Sequence, residues 1–315
     1  MMKHPHFTIA PEVRVALDIN GPIVALESTV ITHGLPHPQN LELARDMEKH
    51  VRDMGVTPAT VALLDGKIRI GLSDEELVRL ADADSTLPTG GCAKVSHRDF
   101  ATAILKKANG GTTVAGTMFA ANMVGIKVFA TGGIGGVHKE SAFDISTDLH
   151  ALADIPMIVV CAGAKSILDL PATLEYLETM GVPVVGYQTD EFPAFYSYES
   201  GLDISVRLDS PKEIAEFAQT HWNLGMRSAV LVANPVPETE SISKSEMDPI
   251  IAKASKEALA KGIHGQKLTP FLLGRINELT GGKSLRANLA LLLNNARLAA
   301  QIADEMSAKK KAWAI

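Results

Sequence analysis

The chain has 315 residues, enough to bury a large core as one big domain or as two ordinary ones. Its composition, 46% hydrophobic and 21% charged residues with a net charge of -6, is typical of an ordinary globular protein. This balance argues against a basic nucleic-acid-binding protein, which holds a polyanion through bulk positive charge. The longest apolar run, residues 155–164, is too short to cross a bilayer, and the N-terminus has no leader pattern. We therefore expect a cytoplasmic protein that binds neither nucleic acid nor membranes.

Short apolar runs alternate with helical patterns along most of the chain. Six runs rich in β-branched residues predict buried strands at residues 22–29, 59–64, 126–131, 155–160, 182–187 and 228–233. Helical periodicity fills intervals between them, and the patterns at residues 171–181 and 210–225 end in the glycine typical of a helix C-terminus. This alternation predicts an α/β fold with a largely parallel sheet covered by helices on both faces.

Two further patterns complete the predicted fold. The pair Asp65-Gly66 suits a tight turn and predicts a hairpin over residues 63–71. After residue 243 the strand signals disappear, and a helical C-terminal third follows, which we expect to pack onto the sheet. Because the chain shows no internal repeat and no long linker, we expect a single domain over residues 1–315.

A glycine-rich segment, FATGGIGGVHK at residues 129–139, follows the third predicted strand. Its glycines do not have the G-x-G-x-x-G spacing of a dinucleotide-binding loop, and Lys139 does not stand in a P-loop pattern. Two interpretations remain open. The segment either lines a ligand site at the carboxyl edge of an open sheet or forms a turn without a ligand.

Downstream of the glycines, Ser146 or Thr147 is expected to cap a helix that starts at about Asp148. The free N–H groups of such a helix start attract an anion. Asp144 and Asp148 lie four residues apart at the same point, and both carboxylates could bind a hard divalent cation. The alternative is that Asp148 only complements the helix dipole and Asp144 is a solvated loop residue.

Four other residues carry polar chemistry at the ends of apolar segments or inside them. Glu27 closes the first strand, where partial burial would raise the pKa of its carboxyl and fit it for proton transfer, and Lys165 follows an apolar run, where an amine can lose its proton and act as a nucleophile. The alternative for both is a solvated charge at a strand end. Lys94 lies near a predicted helix start, and Asn288 is either an internal hydrogen-bonded bridge or a substrate contact. Because parallel strands bring their carboxyl ends together, we expect Glu27, Lys165 and the loop at 131–148 to share one cleft.

The histidines and cysteines carry little functional signal. His33, His97 and His138 are not spaced as a metal cluster. Cys92 and Cys161 lie far apart without metal-ligand spacing, so we expect two buried thiols in a reducing compartment.

Several long motifs together closely resemble the pseudouridine-5'-phosphate glycosidase family, which is also named for indigoidine synthase A. They are ALESTVITHGLPHPQN, KVSHRD, VFATGGIGGVHK, FDISTDL, VCAGAKSILDLPATLEYLET and SLRANLALLLNNARLAAQIA. The resemblance implies a three-layer α/β/α subunit, commonly in a homotrimer, and a divalent ion of the manganese type. It also implies reversible conversion of pseudouridine 5'-phosphate and water into uracil and ribose 5-phosphate.

The resemblance also assigns roles to individual residues. Glu27 corresponds to the family's proton donor, Lys165 to its covalent lysine and Asp144 to its metal ligand. Lys94 corresponds to a phosphate contact, and Thr131 and Asn288 to neighbours of the uracil. The implied substrate-binding residues are Lys94, Val114, Thr131, Ser146, Thr147, Asp148 and Asn288.

Two functions of other classes remain open beside this one. A sugar or nucleoside kinase would also use an α/β sheet, anion sites and an aspartate near a metal, but it has no need for the amine of Lys165. A non-catalytic nucleotide-binding protein would keep the pocket and dispense with the pair of Glu27 and Lys165. Consumption of ATP would favour the kinase, and tight binding without release of uracil would favour the binding protein.

Overall fold

The computed structural model describes residues 5–82, 92–139, 144–263, 265 and 268–312, with side chains up to residue 307. The strands are β1 Phe7–Ile9, β2 Ile23–Leu26, β3 Thr57–Leu64, β4 Lys67–Ile70, β5 Ala93–Val95, β6 Gly110–Thr112, β7 Val128–Ala130, β8 Val137–His138, β9 Ile158–Cys161, β10 Leu168–Asp169, β11 Val184–Tyr187, β12 Val206–Leu208 and β13 Val230–Ala233. The helices are α1 Pro11–Asp18, α2 Gln39–Asp53, α3 Asp74–Ala81, α4 Phe100–Leu105, α5 Val114–Met123, α6 Thr147–Asp154, α7 Leu170–Thr179, α8 Pro211–Asn223, α9 Lys244–Ala260, α10 Leu268–Leu279 and α11 Lys283–Ala312.

Six parallel strands form the centre of the large sheet, in the order β3-β2-β7-β9-β13-β11. They are the six strands that the apolar runs predict, although most of them are shorter than the runs. Almost every side chain in these strands is buried, because helices cover both faces of the sheet. The predicted α/β class with a largely parallel sheet is confirmed.

Strand β3 extends past the parallel centre and changes partners. Its first half pairs with β2, and its second half pairs in antiparallel fashion with β4 and β6. The connection to β4 is the tight turn at Asp65 and Gly66, whose φ angles of 52° and 69° match a two-residue hairpin. The predicted hairpin is therefore confirmed. The short strands β1, β5, β6 and β12 have no comparable sequence signal, because three residues are too few to establish a period.

Helices form the two outer layers. The long C-terminal helix α11 packs on β2, β7 and β9 and also contacts α2 and α8. Helix α5 packs on β2 and β3 and contacts α6, which in turn contacts α7. The helical C-terminal third packs onto the sheet as predicted. Within the described ranges, no helix combines the length and apolar character that crossing a membrane requires.

Candidate active site

The register of three central strands determines which residues meet at the carboxyl edge of the sheet. Leu26 of β2 pairs with Ala130 of β7, which pairs with Val160 of β9. The residues that follow these pairs, Glu27 and Thr131 among them, therefore leave the sheet side by side. The expectation that Glu27, the glycine-rich loop and Lys165 lie at one edge is confirmed by this alignment.

The glycine-rich loop runs along the segment that carries Lys165. The backbone N–H of Ala162 donates to the Gly132 carbonyl at 2.9 Å, and the N–H of Lys165 donates to the Ile134 carbonyl at 3.1 Å. A side chain at Gly133 would place its Cβ 2.6 Å from the Phe195 ring. The glycines thus permit close packing of backbone and aromatic ring beside Lys165.

The start of α6 is tied to this loop by Asp148. The Ser146 side chain caps the helix by accepting from the Asp148 N–H at 3.2 Å, which confirms Ser146 as the cap. Asp148 is 5% exposed, and its Oδ1 and Oδ2 accept backbone N–H groups of Ala115 at 3.0 Å and Gly135 at 2.9 Å. Both oxygens are therefore engaged in holding α5, α6 and the loop together, which leaves Asp144 as the accessible carboxylate of the pair.

Two adjoining cavities lie at the carboxyl edge. The outer cavity, of about 390 Å³, is lined by the start of α6 and its surroundings, including Val114, Asp144, Ser146, Thr147 and Asp148. The inner cavity is lined by residues that include His33, Gly132, Gly133, Phe195 and Asn288. Both cavities are lined by Glu27, Thr29, Lys94, Lys165 and Thr269. Every predicted site residue except Thr131 thus lines one cavity or both.

The carboxyl of Glu27 is buried at the junction of the two cavities, with 8% of the residue exposed. Burial raises its pKa above the ordinary value, while the charge of Lys165, a hydrogen bond from Thr131 and the charge of Lys94 act in the opposite direction. The negative charge of Asp148 adds to the increase. Glu27 therefore keeps its proton to a higher pH than an exposed glutamate, as a proton donor requires.

Thr131 occupies a different position from the other predicted substrate contacts. It is fully buried, and its hydroxyl donates a hydrogen bond to Oε1 of Glu27. A direct contact between Thr131 and the uracil stays a prediction, since the hydroxyl that would make it faces the carboxyl of Glu27.

Two amines accompany the carboxyl. Burial lowers the pKa of Lys94, and the positive charge of Lys165 lowers it further, while Asp148 and Glu27 act in the opposite direction. The site thus places a carboxyl that retains its proton next to a pair of amines. Such a set can donate a proton and supply a nitrogen nucleophile within one enclosed space.

His33 is a cavity residue to which the sequence gives little weight. It lies in a π-helical turn, Val30–Gly34, which begins three residues after Glu27. Its Nδ1 lies 2.6 Å from the Thr32 hydroxyl, and burial together with the charge of Lys94 lowers its pKa. A neutral imidazole therefore borders the inner cavity at pH 7. Phe195 and Thr269 reach the cavities from distant segments, and no local motif indicates them.

Metal and thiol chemistry have few groups available in the part of the chain that the structure describes. Within it, no three His, Cys, Asp or Glu side chains come together as a metal cluster. Cys92 and Cys161 are free thiols, half-buried and buried respectively, and burial raises the pKa of Cys161 to about 12. Both thiols are consequently poor nucleophiles.

Comparison with known proteins identifies the family of this chain. A model described as indigoidine synthase A like protein matches residues 12–305. The chain belongs to this family. A pseudouridine-5'-phosphate glycosidase of Solibacter usitatus is 54% identical over 303 residues, covering 96% of this chain and 99% of that protein. The protein of the same name from Geobacillus kaustophilus is 54% identical over 298 residues, covering 94% and 97%.

Two solved structures share the fold of this chain. An indigoidine synthase A-like protein of Thermotoga maritima has a TM-score of 0.88 and 35% identity, covering 98% of this chain and 99% of that one. The prealnumycin C-glycosynthase AlnA, in complex with ribulose 5-phosphate, has a TM-score of 0.88 and 37% identity with the same coverage. The second of these proteins is named for C-glycoside chemistry, and its structure contains ribulose 5-phosphate.

The raised pKa of Glu27 predicts how the melting temperature of the protein depends on pH. In the folded protein Glu27 stays protonated above the pH at which the unfolded chain loses that proton, so rising pH opposes folding. Glu27→Gln removes this titration while keeping the shape. We expect the melting temperature of the variant to exceed that of the unsubstituted protein at pH 8, and the difference to shrink towards pH 4. A difference that is constant between pH 4 and pH 8 would show that Glu27 titrates normally.

Proposed function

We propose that the chain is a C-glycosidase that reversibly cleaves pseudouridine 5'-phosphate with water to give uracil and ribose 5-phosphate. The observation that carries the proposal is the shared lining of the two cavities, where Glu27 with its raised pKa and the amine of Lys165 border the same space. The names of the family members that are 54% identical to the chain support it.

The bond to be cleaved explains why an amine is needed. In pseudouridine the sugar C1' is joined to C5 of the base, so the leaving atom is carbon. Ordinary glycosidases use two carboxyl groups, one of which protonates an oxygen leaving atom, and that route is closed here. An amine that bonds to C1' can instead supply the electron pair that the breaking carbon–carbon bond requires.

The first half of the reaction opens the sugar ring. The lone pair of Lys165 Nζ forms a bond to C1' while the bond from C1' to O4' breaks, and O4' takes the proton of Glu27. The new ammonium then returns a proton to the Glu27 carboxylate. The result is an open-chain sugar bound through a secondary amine to Lys165, with Glu27 protonated again.

The second half releases the base and then the sugar. The nitrogen lone pair forms a carbon–nitrogen double bond as the bond from C1' to C5 breaks, the electron pair moves into the uracil ring, and C5 takes the proton of Glu27. Water adds to the resulting imine, which releases ribose 5-phosphate and restores the amine of Lys165. The proton left over returns to Glu27, so the cycle closes.

The two cavities suggest an orientation for the substrate. The outer cavity offers the amine of Lys94 and the hydroxyl of Ser146 at the N-terminal end of α6, which suit the phosphate. The inner cavity offers the amide of Asn288, which is 7% exposed and suits the polar edge of uracil. In this orientation C1' lies at the junction, between Glu27 and Lys165.

A divalent ion of the manganese type belongs to the same proposal. The accessible carboxylate of Asp144 at the outer cavity is a suitable oxygen ligand, and an ion held by a single side chain keeps most of its water shell. Such an ion would neutralise negative charge at the phosphate end of the substrate. The homotrimer and the cytoplasmic location stay predictions.

The activity has a direct test. Incubation with pseudouridine 5'-phosphate and Mn²⁺ should release uracil without ATP, and Glu27→Gln should lower turnover by a factor on the order of 100 or more. Uridine 5'-phosphate, in which the base is joined through nitrogen, is the matched control and should react far more slowly. Consumption of ATP would indicate a kinase instead, and tight binding without release of uracil would indicate a non-catalytic binding protein.

The role of Asp144 is tested by removing the metal. Chelation should abolish the release of uracil, Mn²⁺ should restore it, and Asp144→Ala should need a much higher metal concentration. Asp154→Ala, at the exposed C-terminal end of α6, is the control and should behave like the unsubstituted protein. Full activity in a rigorously metal-free sample would contradict the assignment of a metal to this site.

A further inference from the structure

Thr131 and Asn295 form a buried connection between helix α11 and the catalytic carboxyl. The Thr131 hydroxyl donates to Oε1 of Glu27, and the Thr131 carbonyl accepts from the Asn295 side-chain amide at 2.8 Å. Both Thr131 and Asn295 are 0% exposed. Neither residue lines the inner or the outer cavity, so substrate reaches neither of them directly.

An interruption of the sheet explains why Asn295 is needed. The Thr131 N–H donates to the Val160 carbonyl, and a regular parallel ladder would then pair the Thr131 carbonyl with the Ala162 N–H. That N–H donates to Gly132 instead, at 2.9 Å. The carbonyl of Thr131 is consequently left without a strand partner in a buried position, and the Asn295 amide satisfies it.

A second asparagine fixes the orientation of this amide. Asn234 Nδ2 donates to Asn295 Oδ1 at 2.9 Å, and the Asn234 backbone N–H donates to the Cys161 carbonyl at 2.8 Å at the end of β13. Because Oδ1 of Asn295 is occupied by this donor, its NH₂ group must face Thr131. The position of Thr131 thus depends on contacts with both β13 and α11.

We propose that Thr131 and Asn295 are positioning residues for the proton donor: Asn295 fixes the backbone of Thr131, and the Thr131 hydroxyl holds Oε1 of Glu27, so that the transferable proton sits on Oε2. This inference rests on the proposed C-glycosidase function. Oε1 accepts the threonine proton, so the carboxyl proton occupies the other oxygen of a group that lines both cavities. The arrangement gives the acid one direction of transfer, towards the sugar.

The hydrogen bond from Thr131 also affects the pH at which Glu27 loses its proton. A hydrogen bond donated to a carboxylate stabilises the charged form, so the Thr131 hydroxyl opposes the effect of burial on the Glu27 pKa. The other charged groups that act on Glu27 are Lys165 and Lys94, which favour its ionised form, and Asp148, which disfavours it. Removing the hydroxyl of Thr131 leaves these charges in place and should therefore raise the Glu27 pKa.

The test compares Thr131→Val, which keeps the shape and loses the hydroxyl, with Thr131→Ser, which keeps the hydroxyl. For the release of uracil, we expect kcat of Thr131→Val to fall between about 10-fold and 100-fold with KM nearly unchanged, because the acid is misaligned and no substrate contact is lost. The alkaline limb of its kcat/KM profile should move to higher pH. In Thr131→Ser the alkaline limb should lie at the same pH as in the unsubstituted protein.

Asn295→Leu should lower kcat in the same way as Thr131→Val, again without raising KM. Asn294→Ala is the matched control, since the neighbouring Asn294 is only partly buried and contacts Pro235 instead. Its kcat should be unchanged.

A second measurement does not depend on activity. The melting-temperature difference that Glu27→Gln produces should start to grow at the same pH in both backgrounds, because the unfolded chain sets that pH, but it should keep growing to a higher pH and reach a larger value in Thr131→Val. If uracil is not released at all, the proposed function fails. The melting-temperature comparison still shows whether the Thr131 hydroxyl acts on the pKa of Glu27. The positioning role is overturned if the alkaline limb and the melting difference are unchanged in Thr131→Val. It is equally overturned if KM rises and kcat does not fall, which would make Thr131 a direct neighbour of the uracil.

Discussion

Burial of the Glu27 carboxyl at the carboxyl end of β2 is the constraint on which the rest of the site depends. An ionised carboxylate in such a position loses its hydration, and the penalty is several kcal/mol unless the charge is paired or neutralised. Here the penalty is reduced in two ways: the pKa rises, so the neutral form persists, and the Thr131 hydroxyl with the charges of Lys165 and Lys94 supports the ionised form. Both protonation states are accessible as a result, and a group that donates and recovers a proton in each cycle needs both.

The buried carboxylate of Asp148, unlike that of Glu27, has a structural role. Its two oxygens are occupied by backbone N–H groups from the first turn of α5 and from the glycine-rich loop. Its hydrogen bonds therefore hold three segments together around the outer cavity. The glycines of the loop allow this approach, since a Cβ at Gly135 would lie only 2.8 Å from Oδ2 of Asp148. The loop thus borders a nucleotide-sized site without any nucleotide-binding fingerprint.

The sequence predicts the frame of the protein well and the details of the site less completely. The six central strands, the Asp65-Gly66 hairpin and the Ser146 cap follow from local patterns, because burial, turn geometry and helix capping act over a few residues. Strand order is enough to bring Glu27 and Lys165 to one edge.

The contact between Thr131 and Glu27 joins residues 104 positions apart, and no local pattern indicates it. The role of Asp148 is likewise missed, since its partners lie 13 and 33 residues away. For Asn295 the sequence does hold a signal: it follows Asn288 by seven residues in an apolar helix, which places both amides on the same face.

We propose that Lys165 forms a covalent imine with the sugar, and borohydride trapping distinguishes this covalent step from a purely non-covalent role. Borohydride added during turnover, or with ribose 5-phosphate alone, should fix the sugar irreversibly to one lysine, and peptide mass analysis should find the adduct on the peptide that contains Lys165. Lys165→Arg should give neither an adduct nor uracil, because a guanidinium stays protonated and cannot act as a nucleophile. An adduct at Lys94 or Lys139, or an active arginine variant, would contradict the account.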